Sequence, residues 1–215
     1  MRSLAFGIFE NEFYGVKHFF LNSTMCKIGL YLFSFMLFFS AATAIKTYHI
    51  NGEAQGTTYH ITYYAKDSIV SKSAIELLLK ELDNSLSTYH DHSIISEFNQ
   101  STEGTLVDNH LRKVVEKSLE VYKETNGIFD ITASPLIAAW GFGSKGSNKV
   151  PDSAKISSLM QCVGAHKIRL IKNRLIKNNP CIKLDVDGIA QGYSVDVLAD
   201  FLERKDINNY LVEIG

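Results

Sequence analysis

The run Lys183-Leu-Asp-Val-Asp-Gly-Ile-Ala-Gln-Gly-Tyr-Ser-Val-Asp196 constrains this chain more than any other stretch. A strand-like segment passes into a helical pattern there through acidic residues and glycine, so the fold must deliver an extended run onto a helix start. The free N–H groups and partial positive charge of a helix N-terminus suit a phosphate, and Gly188 lets a ligand approach the backbone closely. Asp185 and Asp187 stand where a divalent cation or a nucleotide ribose would be met. The alternative for Asp187 is simply to cap the helix.

Around this junction the pattern is that of an α+β domain. Residues 48–64 alternate apolar and polar side chains around Gly52 and Gly56, with Tyr59, Ile61 and Tyr63 on one face, as a strand pair or one long bulged strand. Ile75, Leu78, Leu79, Leu82 and Leu86 recur three and four apart, which predicts an amphipathic helix over 73–86. The same spacing in Leu111, Val114, Val115, Leu119 and Tyr122 predicts a second, over 110–125, stopped by Asn126-Gly127. Residues 87–104 suit an ordered loop with a short helix. Ser134-Pro135 starts another helix, and a further one is expected over 151–161. Strands are expected at 168–171, 175–177, 182–186 and 208–215. His90, Asp91 and His92 lack a further ligand at metal spacing and read as solvated loop residues.

The first 45 residues are different in character. From Met25 a single Lys27 precedes a 12-residue, largely apolar run, Ile28 to Phe39, and small residues follow to Ala42-Thr-Ala44. This is the layout of an export signal over 25–44, cleaved after Ala44, with retention as a membrane anchor the alternative. The run is short against the about 20 residues of a spanning helix. Residues 1–24 read as an upstream extension, and 45–215 as a single domain. Basic and acidic side chains balance at 22 against 23 with no basic run among aromatics, which excludes a polyanion binder and makes nucleic acid no partner. Cys162 and Cys181 either pair after export or stay free; spacing does not decide between them.

Four stretches carry a family resemblance in this order: Gln55-Gly-Thr-Thr-Tyr59; Ser87-Thr-Tyr89 with Ser96-Glu-Phe-Asn99; Thr125-Asn-Gly-Ile-Phe-Asp-Ile-Thr-Ala-Ser-Pro-Leu136 with Trp140-Gly-Phe-Gly143; and the junction itself. Together they resemble the FAD:protein FMN transferases, the ApbE-like flavin transferases, from Gly52 to Gly215. The resemblance implies an α+β fold of mixed, largely antiparallel sheet with packed helices. It also implies an extracytoplasmic, Mg²⁺-dependent enzyme that takes FAD, leaves FMN on a Thr or Ser hydroxyl of an acceptor protein and releases AMP. Its acceptors are typically subunits of membrane redox complexes.

Carried over by position, Gln55, Tyr89, Ile128, Phe129, Asp130, Asp185 and Gln191 match flavin-nucleotide contacts, and Gly188 matches a backbone carbonyl offered to Mg²⁺. Two positions depart from the family pattern: Gln55 stands where Met is usual and Gln191 where Lys is usual, so the pyrophosphate should be held more weakly or differently. Asp187 replaces a small residue. The resemblance further implies that the remaining Mg²⁺ ligands lie beyond Gly215, so little transfer is expected from this chain alone. A flavin-binding module without catalysis and a purely structural exported remnant are the readings of other classes, separated by AMP release and by flavin binding.

Overall fold

The hairpin over the first motif is set by its turn. Gln55 and Gly56 both take positive φ (52° and 74°), the pair of left-handed residues that a two-residue loop between twisted strands requires. In the computed structural model, which describes residues 44–143 and 149–215, this turn joins β1 (Lys46–Ala54) to β2 (Thr57–Ala65). The alternation then does what period two dictates: Tyr59, Ile61 and Tyr63 are fully buried on one face. The expected strand pair is therefore found, not the bulged strand.

Helix α1 (Lys72–Leu86) starts at Ser71, whose hydroxyl accepts the Ala74 N–H, and buries Ile75, Leu79, Leu82 and Leu86. Next come α2 (Ile94–Gln100), capped by Ser93, and strand β3 (Gly104–Leu106). Asp108 caps α3 (Asn109–Glu124) by accepting from Leu111 N at 2.8 Å, and its same oxygen receives the Ser85 hydroxyl of α1. That helix stops where Asn126 and Gly127 turn left-handed and Gly127 N reaches back to Tyr122 O at 2.8 Å. After α4 (Ser134–Ala139) and α5 (Ser153–Leu159) come β4 (Ile168–Ile171), β5 (Arg174–Lys177), α6 (Asp187–Glu203) and β6 (Tyr210–Ile214).

The α+β expectation holds. The strands form two three-stranded sheets, β1-β2-β6 and β3-β5-β4, with antiparallel pairings. Helices α1, α3 and α6 pack with the buried face of the first sheet into one core, and residues 45–215 make one compact unit. The expected extension (1–24) and nearly all of the export signal (25–44) lie outside the described residues, as does most of the polar loop after Gly143. Among the described residues, no helix is long and apolar enough to cross a membrane.

One expected strand is not a strand. Residues 182–186 join no sheet: the side chains of Asn99 and Lys177 and the backbone carbonyls of Asn179 and Ile131, not a paired strand, meet their backbone groups. Period-two burial does survive, with Ile182, Leu184 and Val186 fully buried. Burial alternation reports an extended backbone between two environments; it does not report a ladder.

A disulfide joins Cys162 to Cys181, Cα atoms 5.4 Å apart, which settles the choice that spacing left open. Lys177 is the fold's most unusual ionisable group. Only 7% exposed, it is lowered to about 8, chiefly by burial and then by the charge of Lys183. Its folded value lies below the ordinary 10.5, so between the two the unfolded chain binds more protons and stability rises with pH. Urea unfolding is expected to show a midpoint climbing from pH about 8 to about 9.5, a rise that Lys177→Met abolishes. An equal climb in Lys177→Met would assign it to other groups.

Candidate active site

The start of α6 is built by three distant stretches. Asp185 is fixed from behind by its own N–H, which donates to Ile131 O at 2.8 Å. Its Oδ1 accepts the Asp187 N–H at 3.0 Å, closing the turn into the helix. The capping part therefore falls to Asp185; Asp187 is the helix's first residue, and Val186 before it offers no side-chain cap. The other carboxylate oxygen, Oδ2, faces the backbone of Gly143, where an added Cβ would lie 3.8 Å from it. The Phe129 ring lies beside Gly188, its Cε2 3.5 Å from where a Cβ would stand. So the 128–130 turn, the 140–143 stretch and the helix start meet at one place, though up to 60 residues separate them.

Beside that meeting point opens a cleft of about 910 Å³ with a mixed polar and apolar lining. Asp185, Lys183, Asn99 and Thr88 line it with Phe142 and Gly143, and the Cys162–Cys181 disulfide forms part of its wall. The volume lies within the range of cofactor-sized clefts.

The sequence-predicted residues take different places around it. Asp185 lines the cleft, and Tyr89, 64% exposed, follows directly on the lining Thr88. Phe129 and Gly188 pair at the helix start, while the Ile128 side chain is 89% exposed. Asp130 is taken up by internal bonds: Oδ1 accepts from Thr132 N at 2.8 Å and Thr132 Oγ1 at 2.6 Å, and Oδ2 from Ala165 N at 3.1 Å. It shapes the turn that presents Phe129. Gln55 ties the hairpin turn to α6, its Nε2 donating to Ser194 Oγ at 2.7 Å, and its Oε1 is buried with no hydrogen-bond partner. Gln191 is exposed on α6.

Partial desolvation, although Asp187 is exposed at the surface, and next the charge of Asp185 push the Asp187 carboxyl above its usual range. Neither carboxylate is in an ion pair with a described cation. Oxygen-only donors and two mutually repelling acids suit a hard cation such as Mg²⁺. Among the described residues, however, no group of three or more His, Cys, Asp or Glu is arranged to hold a metal. The set therefore fits an ion that takes its other oxygens from phosphate and water, and does not make a closed protein cage.

Sequence reasoning missed Lys177 and the structural use of Asn99. For Lys177 the signal was present: it shares a face with Leu175 in a period-two strand, and that face is buried.

Fold and site together define an α+β domain with an acidic helix start beside a cofactor-sized cleft. The chain belongs to the ApbE family, whose family model matches residues 55–215. It is 35% identical over 174 residues to a FAD:protein FMN transferase of Vibrio cholerae, covering 78% of this chain and 52% of that one. A FAD:protein FMN transferase of Haemophilus influenzae is 34% identical over 183 residues, covering 79% and 53%. Among solved structures, the flavin transferase ApbE of Vibrio cholerae superposes with a TM-score of 0.75 at 34% identity, over 80% of this chain and 58% of that one. The apo flavinyl transferase ApbE of Pseudomonas stutzeri gives 0.73 at 30%, over 80% and 59%. The chain spans about half the length of the curated relatives it matches.

Proposed function

We propose that the protein is a FAD:protein FMN transferase, moving FMN from FAD to a Thr or Ser hydroxyl of an acceptor protein with release of AMP. The observation that carries this is the convergence of the 128–130 turn, the 140–143 stretch and the 185–188 helix start beside one cleft, inside a match to the ApbE family along 55–215. In the reaction the acceptor oxygen forms a bond to the flavin-side phosphorus as the bond from that phosphorus to the bridging oxygen breaks. The bridging oxygen leaves with AMP, and the hydroxyl proton passes to water.

The protein's part is to bind and orient. Asp185, with Oδ1 occupied, has Oδ2 to accept an N–H or O–H of the nucleotide. Phe129 stands at the helix start, and Tyr89, next in sequence to the cleft-lining Thr88, is exposed; both carry aromatic faces suited to a flavin. Asp187 and the Gly188 carbonyl are the groups that would hold Mg²⁺, which when bound neutralises phosphate charge. Lys183 adds positive charge on the cleft wall. The acceptor we assign to a membrane redox complex, and the location to the outer side of the inner membrane. The 25–44 segment supports that location, and so does the disulfide, since such bonds persist in oxidising compartments.

The test measures FAD retention, AMP release and covalent flavin on an acceptor, with and without Mg²⁺. FAD binding is expected to weaken at least about tenfold in Asp185→Ala, the loss of one hydrogen bond to a charged group. Equal affinity in both proteins would remove Asp185 from the site. FAD held without AMP release in the presence of Mg²⁺ and acceptor would make these 215 residues by themselves a binding module, and no retention by the wild type overturns the flavin reading.

A further inference from the structure

An extended segment inside a protein normally has its backbone groups met by a neighbouring strand. Residues 182–185 meet theirs differently. Lys177 Nζ donates to Ile182 O at 2.9 Å. The Asn99 side chain pairs with both polar groups of Leu184, donating from Nδ2 to its carbonyl at 2.9 Å and accepting its N–H at Oδ1 at 2.7 Å. The two clamps are themselves joined, because Lys177 also donates to Phe98 O at 2.9 Å and its ammonium stands 4.7 Å from the Phe98 ring. Ile182, Leu184 and Phe98 are fully buried, so neither clamp is replaced at small cost by water.

We infer that Asn99 and Lys177 are positioning residues of the candidate site. They hold residues 182–184 so that Asp185 and the first turn of α6 keep their place against the cleft. Asn99 lines the cleft together with Asp185, so the residue that grips Leu184 is also part of the wall a ligand touches. A β-ladder would continue past Leu184 and keep the chain extended. Two side chains stop at Leu184 and a single backbone bond, Asp185 N–H to Ile131 O, follows them, so the chain bends at Val186 into the helix, where Val186 O accepts the first helical N–H groups. The ligand named in the test rests on the flavin reading above; the positioning itself is read without a ligand.

The experiment compares the full chain with Asn99→Leu, which keeps volume and removes the amide, and Lys177→Met, which keeps the stem over Phe98 and removes the ammonium. Leu119→Ala, on α3, serves as a control for general loss of stability. In both clamp variants, amide exchange from Leu184 to Gly188 is expected to accelerate about tenfold or more while Tyr59 and Ile61 in β2 stay protected. FAD affinity should fall about tenfold, and the visible circular dichroism of bound flavin should change at saturating FAD. Neither flavin readout should move in Leu119→Ala. Unchanged exchange over 184–188, a uniform acceleration, or flavin affinity and dichroism equal to wild type would overturn the inference. So would the same flavin changes in the control. If the wild type binds no FAD, the flavin reading fails, and the exchange pattern alone decides: local acceleration supports the clamp and uniform acceleration overturns it.

Discussion

Reducing the Cys162–Cys181 disulfide is expected to lower the unfolding free energy by about 3 kcal/mol, the chain-entropy value for a loop of this length. The two cysteines are 19 residues apart, and the bond ties the end of α5's 3₁₀ extension to the residue before Ile182. Without it the enclosed loop regains freedom in the unfolded chain, and one anchor of the Asp185 segment is lost. The measurement is urea unfolding with and without reductant, repeated on the Cys162→Ser/Cys181→Ser variant. An unchanged midpoint, with two thiols newly freed by the reductant confirmed by titration, would show that the bond adds nothing to stability. Both cysteines also line the cleft, so on the flavin reading proposed above reduction should weaken FAD binding under conditions where the fold persists.

Gly104→Ala is expected to be at least as damaging, at about 3 kcal/mol or more. Gly104 takes φ of 133°, where an L side chain is strained, and an added Cβ would run into the carbonyl oxygen of Leu175 with Ile176 Cα close behind. The obstruction is backbone, so no rotamer change relieves it. The β3 and β5 strands would have to separate, and β5 carries Lys177 to its two carbonyls. A thermal midpoint within a few degrees of wild type would contradict this account. Gly56→Ala is the useful comparison, since it has a positive φ and nothing within 4 Å of the added carbon. It should cost only the conformational part, about 1 kcal/mol.

The long helices were legible because their signal is local. Ile75, Leu79 and Leu82, or Leu111, Val114 and Val115, occupy one side of a 3.6-residue period however the chain folds around them. The caps Ser71 and Asp108 and the Asn126-Gly127 stop are equally local. In the site, Asp185 and Gly188 could be singled out because acids and glycine at a helix start carry their chemistry in the sequence. Reading 182–186 as a strand fails for the opposite cause: its alternation is genuine, but whether a neighbouring strand or side chains meet its backbone depends on residues as far away as Asn99, 85 positions before the Leu184 it grips. Position alone offers Asp187 as the helix cap; the bond from Asp187 N–H to Asp185 Oδ1 gives that part to Asp185.

By itself, then, the sequence determined which segments are helical, which face of each is buried, the hairpin at Gln55-Gly56 and the order of motifs that marks the ApbE family, since each follows from nearest-neighbour geometry and side-chain type. The tertiary structure alone decided that Cys162 reaches Cys181, that Asp130 spends its carboxylate on its own turn, and that Lys177 is buried against two carbonyls. It also decided that Phe129 and Gly143 meet the start of α6. Those are contacts between residues distant in the chain, and their geometry exists only once the core has brought the segments together.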